Sequence, residues 1–238
     1  MTALQMPESR YTDGEYLAHN PSWHVEDSPW KAGHVLTLLR RHGLSPKSVC
    51  EVGCGAGEIL RQLHDRMGEG VRFDGFEVSP QAHALAATRQ TERLHYHLRD
   101  AFDEPETTYD VVLAMDVLEH VEDCFGFLRK LRGKGTYKVL HIPLDISAMS
   151  AVGPTLMRGR RAMGHIHYFT RATALATLAD TGYEVVDWFY TPGFKAPGPP
   201  NERWPARAMK VARRATWLVS REACVRLLGG VSIAVLAK

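Results

Sequence analysis

Apolar residues along this chain gather into short runs of strand length, at Ser48–Val52, Val71–Glu77, Leu94–Leu98, Tyr109–Met115, Thr136–Ile142, Tyr183–Tyr190 and Val231–Ala237. Between most of them the apolar positions change to helical spacing, as in Ile59, Leu60, Leu63 and Met67, or Leu175, Leu178 and Ala179. Strands alternating with amphipathic helices predict an α/β fold, with a mostly parallel, doubly wound sheet of seven strands covered on both faces.

Local signals place the helix boundaries. Ser28-Pro29 supplies an N-cap and a first-turn proline for a helix ending near Gly43, Ser79-Pro80 repeats the device, and Thr170 and Gly182 bracket a third helix. Two stretches exceed ordinary connections. Residues 143–169 show no clear regular element, and residues 191–230 open on a proline cluster before a predicted basic amphipathic helix, Ala206–Leu228. Both are read as insertions in a single domain spanning 1–238, with 1–30 as an N-terminal covering segment.

Composition narrows the class without naming an activity. Hydrophobic content of 45% and charged content of 24% are those of an ordinary globular protein. No signal-like or membrane-spanning run is evident, which predicts a cytoplasmic protein. Cys50, Cys54, Cys124 and Cys224 form no CxxC pair, so they are expected to be free thiols, and no metal site is predicted. Net charge is +2, but nine acids and no Lys or Arg lie between Asp100 and Asp123, whereas Arg203–Leu228 carries six Arg and one Lys against a single Glu.

The most chemical stretch is "SVCEVGCGAGEIL", where a strand runs into Gly53, Gly55 and Gly57 before a helix begins. Such a turn lets backbone approach a ligand and turns N–H groups toward it. Its G-x-G-x-G spacing differs from the dinucleotide fingerprint G-x-G-x-x-G, and the loop alone also suits a purely structural turn. Further along, the second strand ends on Glu77 in "FDGFEVSP", the third leads into "RDAFD", and the fourth into "YDVVLAMDVLEHVED". Glu77 follows Gly57 by twenty residues, a spacing at which a carboxylate accepts ribose hydroxyls.

Together these motifs resemble the ordered motifs of class I S-adenosylmethionine-dependent methyltransferases, of the small bacterial type, from Ser48 to Tyr190. The resemblance implies a Rossmann-like fold whose last strand, Val231–Ala237, runs antiparallel. It further implies that Gly53 and Gly55 pass under the methionine part of S-adenosylmethionine, with Glu51 supporting the loop and Gly57 completing it. Glu77 would hold the ribose, Asp100 and Ala101 would meet the adenine, and Asp116 would lie near the methionine moiety; S-adenosylhomocysteine would be the product.

Methyl transfer to oxygen needs alignment and removal of a proton, which makes histidines at the ligand edge candidates for a general base. His120 in "LEHV" and His165 and His167 in "GHIHYFT" are the three candidates; alternation allows at most one of the last pair to face the acceptor. Trp23 or Trp30 could cover the cofactor, with Tyr16, His24 and Lys31 as unassigned neighbours. Arg158, Arg160 and Arg161 in one insertion, and Arg207, Lys210, Arg213, Arg214 and Arg221 in the other, suggest an anionic acceptor.

The expected function is therefore O-methylation of a small molecule in sugar, polysaccharide or specialised metabolism. The alternatives are N- or C-methylation of a lipid or carrier-bound substrate, or a cofactor-binding scaffold without turnover. No Pro-Pro-aromatic motif follows the fourth strand, so nucleic acid is disfavoured as a partner. The basic helix leaves peripheral membrane contact and a homodimer open.

Overall fold

The computed structural model describes residues 23, 25–104, 106–196 and 204–238. Seven strands form one sheet in the order β3-β2-β1-β4-β5-β7-β6. They are β1 (Ser48–Val52), β2 (Arg72–Glu77), β3 (Leu94–Leu98), β4 (Tyr109–Met115), β5 (Gly135–Pro143), β6 (Val185–Pro192) and β7 (Val231–Ala237). Strands β1 to β5 pair in parallel, and β7 runs antiparallel between β5 and β6. This is the Rossmann-like, doubly wound arrangement expected from the alternating pattern.

The sheet is buried on both faces, so neighbouring strand residues enter different cores. Val49, Val111 and Leu113 pack with Ala32, Val35 and Leu38 on one side. Cys50, Val112 and Ala114 pack with Leu128, Leu131 and Leu178 on the other. Strands buried on both faces read as continuous apolar runs, which is why their bounds are legible in the sequence.

The helices that position the edge of the sheet are α1 (Ser28–Arg41), α2 (Glu58–His64), α3 (Pro80–Ala87), α4 (Cys124–Arg132), α5 (Ala148–Val152), α6 (Thr155–Ala162), α7 (Arg171–Asp180) and α8 (Trp204–Val219). Ser79 caps α3 by accepting from the Ala82 amide, and Thr170 and Thr173 form a reciprocal capping box on α7. At α1 the N-cap is Asp27 rather than Ser28, which becomes the first helical residue.

Two expectations are corrected. Residues 143–169 are not featureless: α5 starts on a Ser147–Ser150 capping box, and α6 follows after Pro154. These helices are too short to show a periodic apolar face. The predicted helix Ala206–Leu228 is interrupted at Ser220, whose extended backbone and side chain cap a new turn, Arg221–Ala223, that continues as a π-helical turn to Leu228. A polar capping residue within an amphipathic pattern was the missed break.

Candidate active site

The order of strands reverses at β1 and β4, and the connections leaving their carboxyl ends open the crevice where ligands bind in sheets of this kind. Gly53, Gly55 and Gly57 follow β1 with φ of 71°, 54° and 77°, the left-handed region in which a side chain is strained. Gly53 also faces Val117 after β4: a Cβ there would lie 2.9 Å from Val117 Cγ2. The turn is fixed by Gly53 and Cys54 amides donating to the Phe76 carbonyl. It is a cradle that a side chain would fill.

Beneath it, Glu51 is buried, and its Oε2 has no partner among the described residues. Burial pushes its carboxyl up to about 8, with nearby Lys31 opposing and Glu77 reinforcing the shift. At the end of β2, Glu77 Oε2 accepts from the Gly55 amide at 2.8 Å and Oε1 from the Ser79 amide at 2.8 Å. The two bonds aim the carboxylate across the turn and leave lone pairs for further donors. Asp100 follows β3, its Oδ1 accepting from the Phe102 amide at 2.9 Å, while Ala101 is buried beside it.

Asp116, the first residue after β4, has φ of 56°, a conformation costly for a non-glycine residue. Three bonds hold it there. Its amide donates to the His141 carbonyl, Oδ1 meets His141 Nδ1 at 2.5 Å, and Oδ2 meets Lys31 Nζ at 2.6 Å. Burial alone would raise this carboxyl, but His141 and Lys31 outweigh it and keep Asp116 ionised, far below the ordinary range. Lys31 is desolvated as well, yet Asp116 and Asp27 hold it charged. The result is a carboxylate and an ammonium side by side next to the glycine turn.

The segment after Asp116 forms a second corner. Glu119 is only 1% exposed, and its Oε2 has no partner among the described residues. His120 and His165 face each other edge-on with ring centroids 5.0 Å apart, and His165 Nδ1 meets Asp145 Oδ2 at 2.7 Å. The Ile166 and His167 amides both donate to the Glu119 carbonyl, tying the two segments together. His120 also hydrogen-bonds the Gly164 backbone; burial, aided by His165, pulls its pKa down to about 4 and keeps it neutral. Glu119, His120 and His165 bring possible ligand atoms within 4.8 Å of one another, a set that could hold a metal ion.

His167 turns away from this corner. Its Nε2 meets the Val121 and Glu122 carbonyls at 2.8 and 3.2 Å, so it braces the loop after β4. The structure thus brings His120 and His165 together and separates His167 from them.

Trp23 lies over the turn, its Cε3 3.7 Å from where a Gly55 Cβ would be. Trp30 packs instead against His34 and His141. Tyr16 and His24 lie outside the described residues. Among the basic insertion residues, Arg213 donates to the Leu228 carbonyl, Arg214 to the Phe194 carbonyl, and Arg221 covers the Trp217 ring. Arg158, Arg161 and Arg207 are exposed, and Arg160 and Lys210 are partly so.

His141 and Asp145 escaped sequence reasoning. A histidine inside the apolar run "KVLHIP" was the available signal, because a buried polar group in a strand needs a partner. Asp145 carried no local signal at all.

A family model described as a methyltransferase domain matches residues 26–187. Among curated proteins, a ubiquinone biosynthesis O-methyltransferase of Nitrosomonas europaea is 32% identical over 120 residues, covering 45% of this chain and 49% of that protein. One of Pseudomonas savastanoi pv. phaseolicola is 33% identical over 127 residues, 48% of this chain and 53% of that protein. The chain thus spans about half the length of the curated relatives it matches. Among solved structures, an S-adenosylmethionine-dependent methyltransferase from Thiobacillus denitrificans, in complex with S-adenosyl-L-homocysteine, aligns with TM-score 0.61 and 15% identity over 94% of this chain and 96% of that one. Magnesium protoporphyrin IX methyltransferase from Synechocystis PCC 6803, with bound SAM, aligns with TM-score 0.62 and 13% identity over 100% of both chains. At these identities the structural likeness speaks to the fold.

Proposed function

Because the chain belongs to the methyltransferase-domain family, we propose that it transfers a methyl group from S-adenosylmethionine to a hydroxyl oxygen of a small-molecule acceptor. The observation that carries this reading is the meeting, at one sheet edge, of the glycine turn, Glu77 and Asp116 with the corner of Glu119, His120 and His165. When bound, S-adenosylmethionine supplies a methyl carbon on a positively charged sulfur, open to in-line displacement.

Each residue then has a task. Gly53 and Gly55 let the backbone approach the methionine part, and Glu51 supports their turn from below. Glu77 accepts the ribose hydroxyls, while Asp100 and Ala101 flank the adenine. Asp116 and Lys31 present opposite charges to the amino and carboxylate ends of the methionine moiety. Trp23 keeps water from the sulfur side of the turn. The corner at His120 and His165 receives the acceptor hydroxyl and promotes loss of its proton. Residues 1–238 work as one catalytic unit, with the exposed Arg158 and Arg207 flanking the approach of an anionic acceptor.

Support for oxygen as the methylated atom comes from the names of the curated relatives. Those names favour hydroxyls of the kind met in ubiquinone biosynthesis over sugar or polysaccharide hydroxyls. The test is formation of S-adenosylhomocysteine with a panel of hydroxylated acceptors and methyl-labelled cofactor. Turnover that disappears in Glu77→Ala and Asp116→Asn supports the reading. Cofactor binding without transfer to any hydroxyl would replace it with a scaffold, and label appearing on nitrogen or carbon would reassign the acceptor atom.

A further inference from the structure

We propose that Glu119, His120 and His165 form the binding site of one divalent cation of the zinc class, placed beside the acceptor. The site itself stands on geometry; its chemical consequence rests on the methyltransferase reading above.

Three observations point to a cation. The Glu119 carboxyl is 1% exposed, and one of its oxygens has no partner among the described residues, an unsatisfied buried polar atom that a bound cation would engage. The His165 ring is oriented by Asp145 through Nδ1 at 2.7 Å, which presents Nε2 as a ligand; a carboxylate behind a histidine is the usual support for a metal-bound imidazole. The surroundings are also acidic, because Asp116 and Asp145 both act electrostatically on Glu119 and His120.

Geometry and donor type choose the ion. The ligand atoms lie within 4.8 Å of one another. In a tetrahedral zinc site they would be about 3.3 Å apart. Ligation would require the Glu119 and His120 side chains to rotate inward to close the difference. Backbone bonds from Ile166 and His167 to Glu119 already hold the two segments in register. The His120 bond to Gly164 uses one ring nitrogen and is compatible with ligation through the other. Two imidazoles and one carboxylate suit zinc or a similar first-row ion better than magnesium or calcium, and leave a fourth position open for an oxygen ligand.

In that position the acceptor hydroxyl would bind through oxygen and lose its proton to solvent more readily than in water. The oxygen lone pair forms the new bond to the methyl carbon while the carbon–sulfur bond breaks, its electron pair staying on sulfur. The products are a methyl ether, a neutral thioether and one proton, and no oxidant or reductant is required. His120 and His165 then serve as ligands rather than as the proton's final carrier.

The experiment is calorimetric titration of tag-free protein, stripped with chelator, with Zn2+, together with visible absorption after Co2+ loading. One saturable equivalent is expected, with imidazole-type absorption bands in the Co2+ form. Glu119→Gln and His165→Asn should weaken binding at least 100-fold, and Asp145→Asn about 10–100-fold. His64→Gln, on α2 away from the corner, should bind as the parent does. Circular dichroism establishes that each variant is folded, and the Glu119 and Asp145 substitutions carry the test if His165→Asn is not. Absence of saturable binding, or equal affinity in all three variants, overturns the site. Labelled cofactor binding separates the two readings. A metal site without cofactor binding would retire methyl transfer, and full turnover by the stripped protein would overturn the cation's part in the transfer.

Discussion

Lys31 Nζ lies 2.6 Å from Asp116 Oδ2, so the first helix is fastened to the first residue beyond β4 by a largely buried ion pair. The same lysine reaches Asp27 at 3.1 Å, and His141 holds the other oxygen of Asp116. Removing one partner leaves a desolvated charge behind. Lys31→Met should therefore lower unfolding stability by about 3 kcal/mol. For a chain of this size that is a drop of about 6–12 °C in the melting temperature. The same variant should bind S-adenosylmethionine at least tenfold more weakly, measured by calorimetry below its melting range. Wild-type affinity would show that Lys31 serves the fold alone.

Gly53 is under a double constraint, from its φ of 71° and from Val117. Gly53→Ala should abolish measurable cofactor binding while leaving the sheet intact by circular dichroism. Adding Val117→Ala removes the 2.9 Å approach but not the backbone strain. The double variant should recover part of the affinity. Full recovery would make sterics the whole constraint, and none would make it conformational.

Legibility in the sequence followed physical type. The runs at β1, β4 and β7 were bounded as found because most of their residues are buried on both faces; β3 was too, its Leu94 and Tyr96 alternating with half-buried histidines, whereas β6, only half-buried along most of its length, lies two residues further on than its pattern predicted. Glu77 and Asp116 could be located because one ends β2 and the other directly follows β4, each in a recognisable motif. Their partners could not. Lys31 comes from a helix 85 residues before Asp116, and Asp145 lies 20 residues before His165. Such pairings depend on strand order, which periodicity does not encode. Alternation separated His165 from His167, as found, but did not say which of the two meets His120; that depends on the pairing of 165–167 with the segment after β4.

His34 and Glu58 each make the fold acid-sensitive, in different pH windows, while the raised Glu51 carboxyl acts in the opposite sense between 8 and 4.5. His34 is half-buried on α1 beside His141, and desolvation, reinforced by that neighbour, lowers its pKa to about 4. The folded state thus binds fewer protons than the unfolded one between 6.5 and 4, so stability falls as pH drops through that window. Burial would raise the Glu58 carboxyl, but Arg61, Gln62 and Arg89 outweigh it and bring its pKa down to about 2. Its contribution is present above 4.5 and is lost as pH falls toward 2. His34 Nε2 has no partner among the described residues, so His34→Phe should make the melting temperature less sensitive to acid between pH 6.5 and 4, a window that His120 shares. An unchanged slope would place the acid sensitivity elsewhere.

Helix α8 turns an apolar stripe outward: Trp204, Val211, Leu218 and Val219 are 79%, 64%, 87% and 89% exposed. Arg207 and Lys210 border that stripe, and the helix carries no acidic residue. No helix among the described residues is long and apolar enough to cross a membrane. Pairing of two such faces would bring like charges together, whereas anionic headgroups would neutralise them. The protein should therefore sediment with vesicles containing phosphatidylglycerol and remain in solution with phosphatidylcholine alone. Val211→Glu with Leu218→Glu should abolish sedimentation. Arg207→Glu with Lys210→Glu should weaken it about tenfold or more, since each basic residue near an anionic surface contributes about 1 kcal/mol. Sedimentation that ignores lipid charge, or concentration-dependent dimerisation through the same stripe, would assign the face to a different partner.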